Sequence, residues 1–192
     1  MSTDDTTTTS RPKAAGRRED RDGAPHVVIE RTFRAPVTDV WAAVTEPARL
    51  ERWIGTWTGD PASGTVQFRM TAEGEDIEAE PMTVHECDPP RRLVLSWMSG
   101  ATGGRWHVEL DLVEADGVTT LTFAQRVPDT ATGRDVGPGW EYYLDRLTAA
   151  ESDGDVAAVA ARLRGHGWAL RAPVRRSRLR VRPARACAAR AR

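Results

Sequence analysis

The sequence predicts an α+β fold: an antiparallel six-stranded sheet covered on its apolar face by a C-terminal helix, with two short helices after the first strand. Three observations carry this. Five segments of apolar alternation with period two follow one another between residues 65 and 123, separated by turn sequences. Before them, one β-rich strand is followed at once by two short helical patterns that meet at a proline corner. After them, Trp140, Tyr143, Leu144 and Leu147 recur at helical spacing, with Glu151 next on the same line. Such a stripe of large side chains needs a concave apolar partner.

In chain order, residues 1–25 carry Thr, Gly and charge but no apolar period, which predicts a disordered tail. His26 to Arg34 reads as the first strand, with Val27, Ile29 and Phe33 on one face. Ala35-Pro36 ends it. Val37 to Thr45 follows as a helix, and Glu46-Pro47 breaks that helix and opens a second over Ala48 to Trp53. Thr56 to Gly64 is expected to be a loop. The next strands alternate Val66, Phe68 and Met70; Met82 and Val84; Leu93, Leu95 and Trp97; Trp106, Val108, Leu110 and Leu112; and Leu121 and Phe123. Asp88-Pro89-Pro90 and Ala115-Asp116-Gly117 supply turns, the latter of hairpin type. Gly137-Pro138-Gly139 is read as the start signal of the last helix, which stops near Ser152-Asp153-Gly154.

The chain has 192 residues, which points to one domain with tails. It shows no stretch long enough to cross a bilayer and no secretory signal pattern at its start. Cys87 and Cys187 lie in different contexts without CxxC spacing, so a reduced, cytoplasmic protein is expected. The net charge of −1 conceals a split. Residues 162–192 hold 11 Arg and no acid, whereas the preceding residues hold 16 Lys and Arg against 28 Asp and Glu. Residues 161–192 form an Arg/Ala-rich basic tail, expected to be disordered. Its arginines offer phosphate contacts but lack interleaved aromatics, so nucleic-acid binding is not predicted.

Ile29 to Pro36, Val40 to Pro47 and Leu50-Glu51-Arg52-Trp53 together resemble the opening of the START-like (SRPBCC) superfamily. Within it the match is to the branch of homologues of the activator of heat-shock-protein-90 ATPase. Leu93 to Trp97, Thr119 to Phe123 and Gly139 to Leu147 resemble that branch's fourth strand, sixth strand and C-terminal helix. The resemblance spans about residues 26–160, taken as the domain. It implies the helix-grip fold, in which a curved sheet grips the helix and leaves a cavity between them.

The cavity implied by that resemblance predicts a small hydrophobic ligand, lined by Trp53, Trp57, Phe68, Met70, Met82, Trp97, Trp106, Val108, Phe123, Trp140, Tyr143 and Leu144. Arg31 shares parity with Ile29 and Phe33 and is the polar candidate at the cavity mouth. Glu78, Glu80 and Glu86 share parity with Met82 and Val84, so an inward carboxylate could do acid–base work. No catalytic constellation, phosphate loop or histidine pair at metal-ligand spacing is seen; His85 and His107 are read as solvent-facing. No cofactor or metal is expected, and the protein is read as a monomer or homodimer. Binding is therefore preferred, the alternatives being an enzyme of the polyketide cyclase/dehydratase type and a regulatory or chaperone-associated interaction module.

Overall fold

The structure is a computed structural model that describes residues 16–74, 76–98, 104–152 and 154–159. Eight strands form one antiparallel sheet: β1 (Arg17–Arg21), β2 (Ala24–Phe33), β3 (Thr56–Thr58), β4 (Thr65–Arg69), β5 (Glu80–Asp88), β6 (Arg92–Met98), β7 (Arg105–Ala115) and β8 (Val118–Arg126). Their order across the sheet is β1-β2-β8-β7-β6-β5-β4-β3. Helices α1 (Val37–Thr45) and α2 (Pro47–Leu50) follow β2, and α3 (Thr130–Glu151) closes the domain. The six expected strands are all present, and two more flank them.

Both additions are short or highly charged, which hid them from a search for apolar alternation. β1 reads Arg-Arg-Glu-Asp-Arg and lies inside the stretch expected to be disordered. Asp22 and Gly23 take positive φ values of 49° and 73°, the geometry of a two-residue hairpin that matches strand twist. Arg17 then pairs with Glu30 at 2.8 Å, and Arg21 reaches Asp111 on β7 at 3.4 Å. β3 is an edge strand of three residues that places Trp57 opposite Phe68. Residues 1–15 of the expected tail, and the basic tail after residue 160, lie outside the described residues. Cys87 is half-buried on β5, and Cys187 lies outside the described residues.

The last helix starts eight residues earlier than Pro138, which sits inside α3. The Asp129 side chain accepts from the Thr132 N–H at 2.7 Å and caps the helix there. Proline costs the helix one internal hydrogen bond. Of the helix's glycines, Gly133 answers a packing demand: a Cβ there would meet Val27 Cγ2 at 3.1 Å, whereas one at Gly139 would meet nothing within 4 Å. The expected stripe is correct downstream, where Trp140, Tyr143, Leu144, Leu147 and Ala150 are all buried.

Two cross-links seat α3. Arg31 on β2 donates from Nε and Nη2 to Asp145 Oδ1, at 3.1 and 2.8 Å. At the other end, Arg49 of α2 pairs with the buried Glu151 carboxylate, and Arg52 donates to the Ala150 carbonyl, an otherwise open acceptor of the final turn. Arg49→Ala leaves Glu151 buried with only Arg52 near, at 3.6 Å. The expected destabilisation is about 2 kcal/mol, read as a lower urea midpoint at unchanged slope.

Candidate ligand cavity

The inner face of the sheet is built by strict alternation. Met82 and Val84 on β5, Leu93, Leu95 and Trp97 on β6, Val108 and Leu110 on β7, and Leu121 and Phe123 on β8 all point the same way. Trp140 and Leu144 on α3 face them, and α1 with the residues after α2 adds Val44, Leu50, Trp53 and Ile54. These surfaces do not fully meet. Between them is a cavity of about 140 Å³.

Among the described residues, the wall holds no charged side chain. Its hydroxyl, on Thr45, is turned back to the Trp41 carbonyl at 2.7 Å. The Trp53 indole N–H donates to the Ala43 carbonyl at 3.0 Å, and that of Trp57 to the Thr45 carbonyl at 2.8 Å. Trp140 donates to Gln125 Oε1, itself buried. Each of these rings therefore gives its polar atom to the scaffold and its carbon face to the space.

Ten of the twelve aromatic and aliphatic residues singled out from the sequence line this cavity; Trp106 and Tyr143 do not. Trp106 stands opposite Trp97 on the neighbouring strand, 5.4 Å between ring centroids, and 5.9 Å from Trp140, so it backs the lining rings. Tyr143 points instead to the turn over Thr71–Glu73, donating its hydroxyl to Glu73 Oε1 at 2.8 Å. Burial, reinforced by Glu73, pushes the phenol well above its ordinary range, so it remains a donor. Tyr143→Phe removes that tie, with an expected cost of about 1 kcal/mol in a thermal or urea melt.

Arg31, the polar candidate at the cavity mouth, is tied to α3. Its guanidinium is consumed by Asp145, and it does not line the cavity. Glu86 is also corrected. The pairing register shifts between Val84 and Glu86, an extra residue that reverses the face of everything after it. Glu86 thus lies on the outer face, 3.0 Å from Arg92 Nε. Residues of α1 and α2 that line the cavity were not anticipated, because their facing depends on how the helices dock. Val84, Leu93, Leu95, Leu110 and Leu121 were findable from strand parity alone.

Glu80 is the carboxylate that does keep the inner parity. It pairs in register with Phe68, a lining residue, and stands two positions before Met82, another. It is half-buried, and burial, then the charge of Glu73, pushes its carboxyl above the ordinary value. Its native pKa exceeds its unfolded one, so its ionisation costs stability as pH rises through that window. Glu80→Gln should therefore raise Tm at pH 8, with the gain over the parent shrinking as pH falls toward the unfolded carboxylate value near 4.5 and gone below it.

The outer face carries a separate polar lattice. Glu109 lies 3.1 Å from Arg92 and 3.6 Å from both His26 and His107, and His85 Nε2 lies 2.7 Å from Ser96 Oγ. Burial holds the His107 imidazole below its ordinary range against the pull of Glu109. Among the described residues no three His, Cys, Asp or Glu side chains are placed to hold a metal ion. No helix among them is long and apolar enough to cross a membrane.

A curved antiparallel sheet around a C-terminal helix, with two short helices after the first long strand and an apolar cavity within, defines a START-like helix-grip domain. The chain belongs to the family of activator of Hsp90 ATPase homolog 1-like proteins, whose model matches residues 34–151. The crystal structure of CalU16 from Micromonospora echinospora is 30% identical, with 81% of this chain and 94% of that chain covered and a TM-score of 0.58. DynU16, described as a putative protein in the dynemicin biosynthetic locus, is 24% identical over 68% of this chain, at a TM-score of 0.58; the match spans 49% of DynU16. A protein of Bordetella parapertussis is 22% identical, with 82% of this chain and 93% of that chain covered and a TM-score of 0.59. These last two share the fold. No curated protein matches the chain in sequence.

Proposed function

We propose that this protein binds a small apolar molecule, of about the size of one aromatic ring, in the cavity between sheet and helix. The observation that carries the reading is a wall of carbon surfaces whose tryptophan N–H groups at Trp53, Trp57 and Trp140 are all committed elsewhere. A ligand would meet lining residues Trp53, Trp57, Phe68, Met70, Met82, Trp97, Val108, Phe123, Trp140 and Leu144. A dry cavity of about 150 Å³ is known to admit benzene, and 140 Å³ is close to that size. The gain comes from removing apolar ligand surface from water and from contacts that empty space denies the lining. A cyclase or dehydratase would need an acid, a base or an arginine on the wall; among the described residues the lining holds none, and Glu80, the carboxylate that shares its face, is not part of it. An interaction module would have no need of the space.

Toluene at near-saturation tests the reading. Binding to the folded state alone raises Tm by linkage, and the ring should also perturb the emission of the lining tryptophans. An unchanged Tm together with unchanged emission would overturn it.

A further inference from the structure

We infer that Glu80 is a specificity residue of this cavity, selecting ring-sized ligands that are neutral or carry an amine and rejecting carboxylates. The inference rests on the binding reading above and adds the ligand's polar end to it. The juxtaposition is that of an unpartnered carboxylate with the apolar row of Phe68 and Met82, on the same face of the sheet.

Several observations converge on Glu80. Glu80 is not itself a lining residue, but it stands in register opposite Phe68 and two positions before Met82, both of which line the cavity, so it borders the lining on the same face of the sheet. The protein gives Glu80 neither a hydrogen bond nor an ion pair among the described residues, although it is half-buried. Its nearest charged influence is Glu73, of the same sign, which is itself engaged by Tyr143. A half-buried acid facing like charge is costly to keep for structure alone.

Among the described residues, two arginines that meet α3 are already engaged. Arg31 holds Asp145. Arg146 donates from Nε to the Trp53 carbonyl at 2.7 Å and from Nη1 to the Tyr142 hydroxyl at 3.0 Å. A ligand carboxylate arriving beside Glu80 would meet repulsion without a compensating donor pair, the usual device for rejecting a wrong partner. An ammonium group would supply the partner that Glu80 lacks, and an uncharged polar group could accept from its protonated form.

Three probes with one ring each separate the terms: toluene, benzylamine and benzoate, titrated at neutral pH by tryptophan emission and calorimetry. Benzylamine should bind at least about tenfold tighter than benzoate, since like-charge juxtaposition is strongly unfavourable at a partly desolvated site. Glu80→Gln should reduce that ratio to within about threefold and leave toluene binding unchanged. The substitution is isosteric, and its melt confirms that the variant is folded. Equal binding of the two charged probes in the parent overturns the inference, with toluene binding still supporting the cavity. A preference that persists in Glu80→Gln also overturns it, assigning the discrimination to the acidic body as a whole. If toluene itself fails to bind, the cavity reading falls and this inference falls with it.

Discussion

Trp140→Ala should destabilise the protein by about 4–5 kcal/mol, near the upper end for loss of a buried aromatic. The ring sits 4.3 Å from Phe123, 5.9 Å from Trp106, 6.1 Å from Tyr143 and 6.4 Å from Trp97, centroid to centroid. It is the point at which the helix meets the aromatic part of the sheet. Truncation would remove those contacts and merge a ring-sized void with the existing cavity, which cannot collapse between a rigid sheet and helix. It would also strip Gln125, which is 2% exposed, of its indole donor. Against a typical domain stability of about 5–15 kcal/mol, this is a large fraction of the total. Urea denaturation followed by circular dichroism measures it. Trp140→Phe keeps most of the ring and should lose about half as much, which separates packing from the Gln125 bond. A Trp140→Ala loss under about 1 kcal/mol would mean that α3 is held mainly by Arg31–Asp145 and Arg49–Glu151.

Val108→Phe should abolish binding of ring-sized probes, weakening toluene by about a hundredfold or more, with Tm equal to or above that of the parent. Val108 lies on the central strand β7, lines the cavity and is 4% exposed. A larger side chain in a packed core normally costs about 1–3 kcal/mol through strain. Here the added ring carbons have the cavity to enter, so burial of new apolar surface offsets that cost. Calorimetry with toluene and a thermal melt, run on the same preparation, check both halves. Loss of binding with a preserved melt assigns the ligand to this cavity. Retained toluene affinity would place the ligand elsewhere, and a collapsed melt would show that the space is already filled by relaxed side chains.

The two experiments bear on different properties of one wall. Trp140 is where packing energy is concentrated, so its removal is read in stability. Val108 borders the space that packing leaves, so its enlargement is read in affinity. The Glu80 probes then address the chemistry at the edge of that same space.

Much of the site was legible because it is built from alternation. A strand points successive residues to opposite faces, so Phe68, Met82, Trp97, Val108 and Phe123 declare a common face without knowledge of the fold. Trp140 and Leu144 follow the helical period in the same way. Trp106 shows the limit of parity. It shares the face of Trp97 and packs on Trp97 and Trp140, yet it is not among the lining residues. Tyr143 shows the limit of helical spacing: its position on the stripe ensures burial, while the direction of its hydroxyl is decided by Glu73 on a distant turn.

By itself, the sequence determined the α+β class, the six principal strands in their order, the proline corner between two short helices, and the apolar stripe of the last helix. Those properties are set by neighbours a few residues apart, through backbone period, turn residues and side-chain polarity. Tertiary structure alone decided the rest. The register shift after Val84 sent Glu86 outward while Glu80 stayed in. Pairing with β2 gave the charged segment Arg17–Arg21 its strand, and close approach to Val27 gave Gly133 a place inside a helix. Arg31 was settled by Asp145, 114 residues away. A charged side chain takes whichever partner the folded backbone brings within reach, and that partner is not written in the local period.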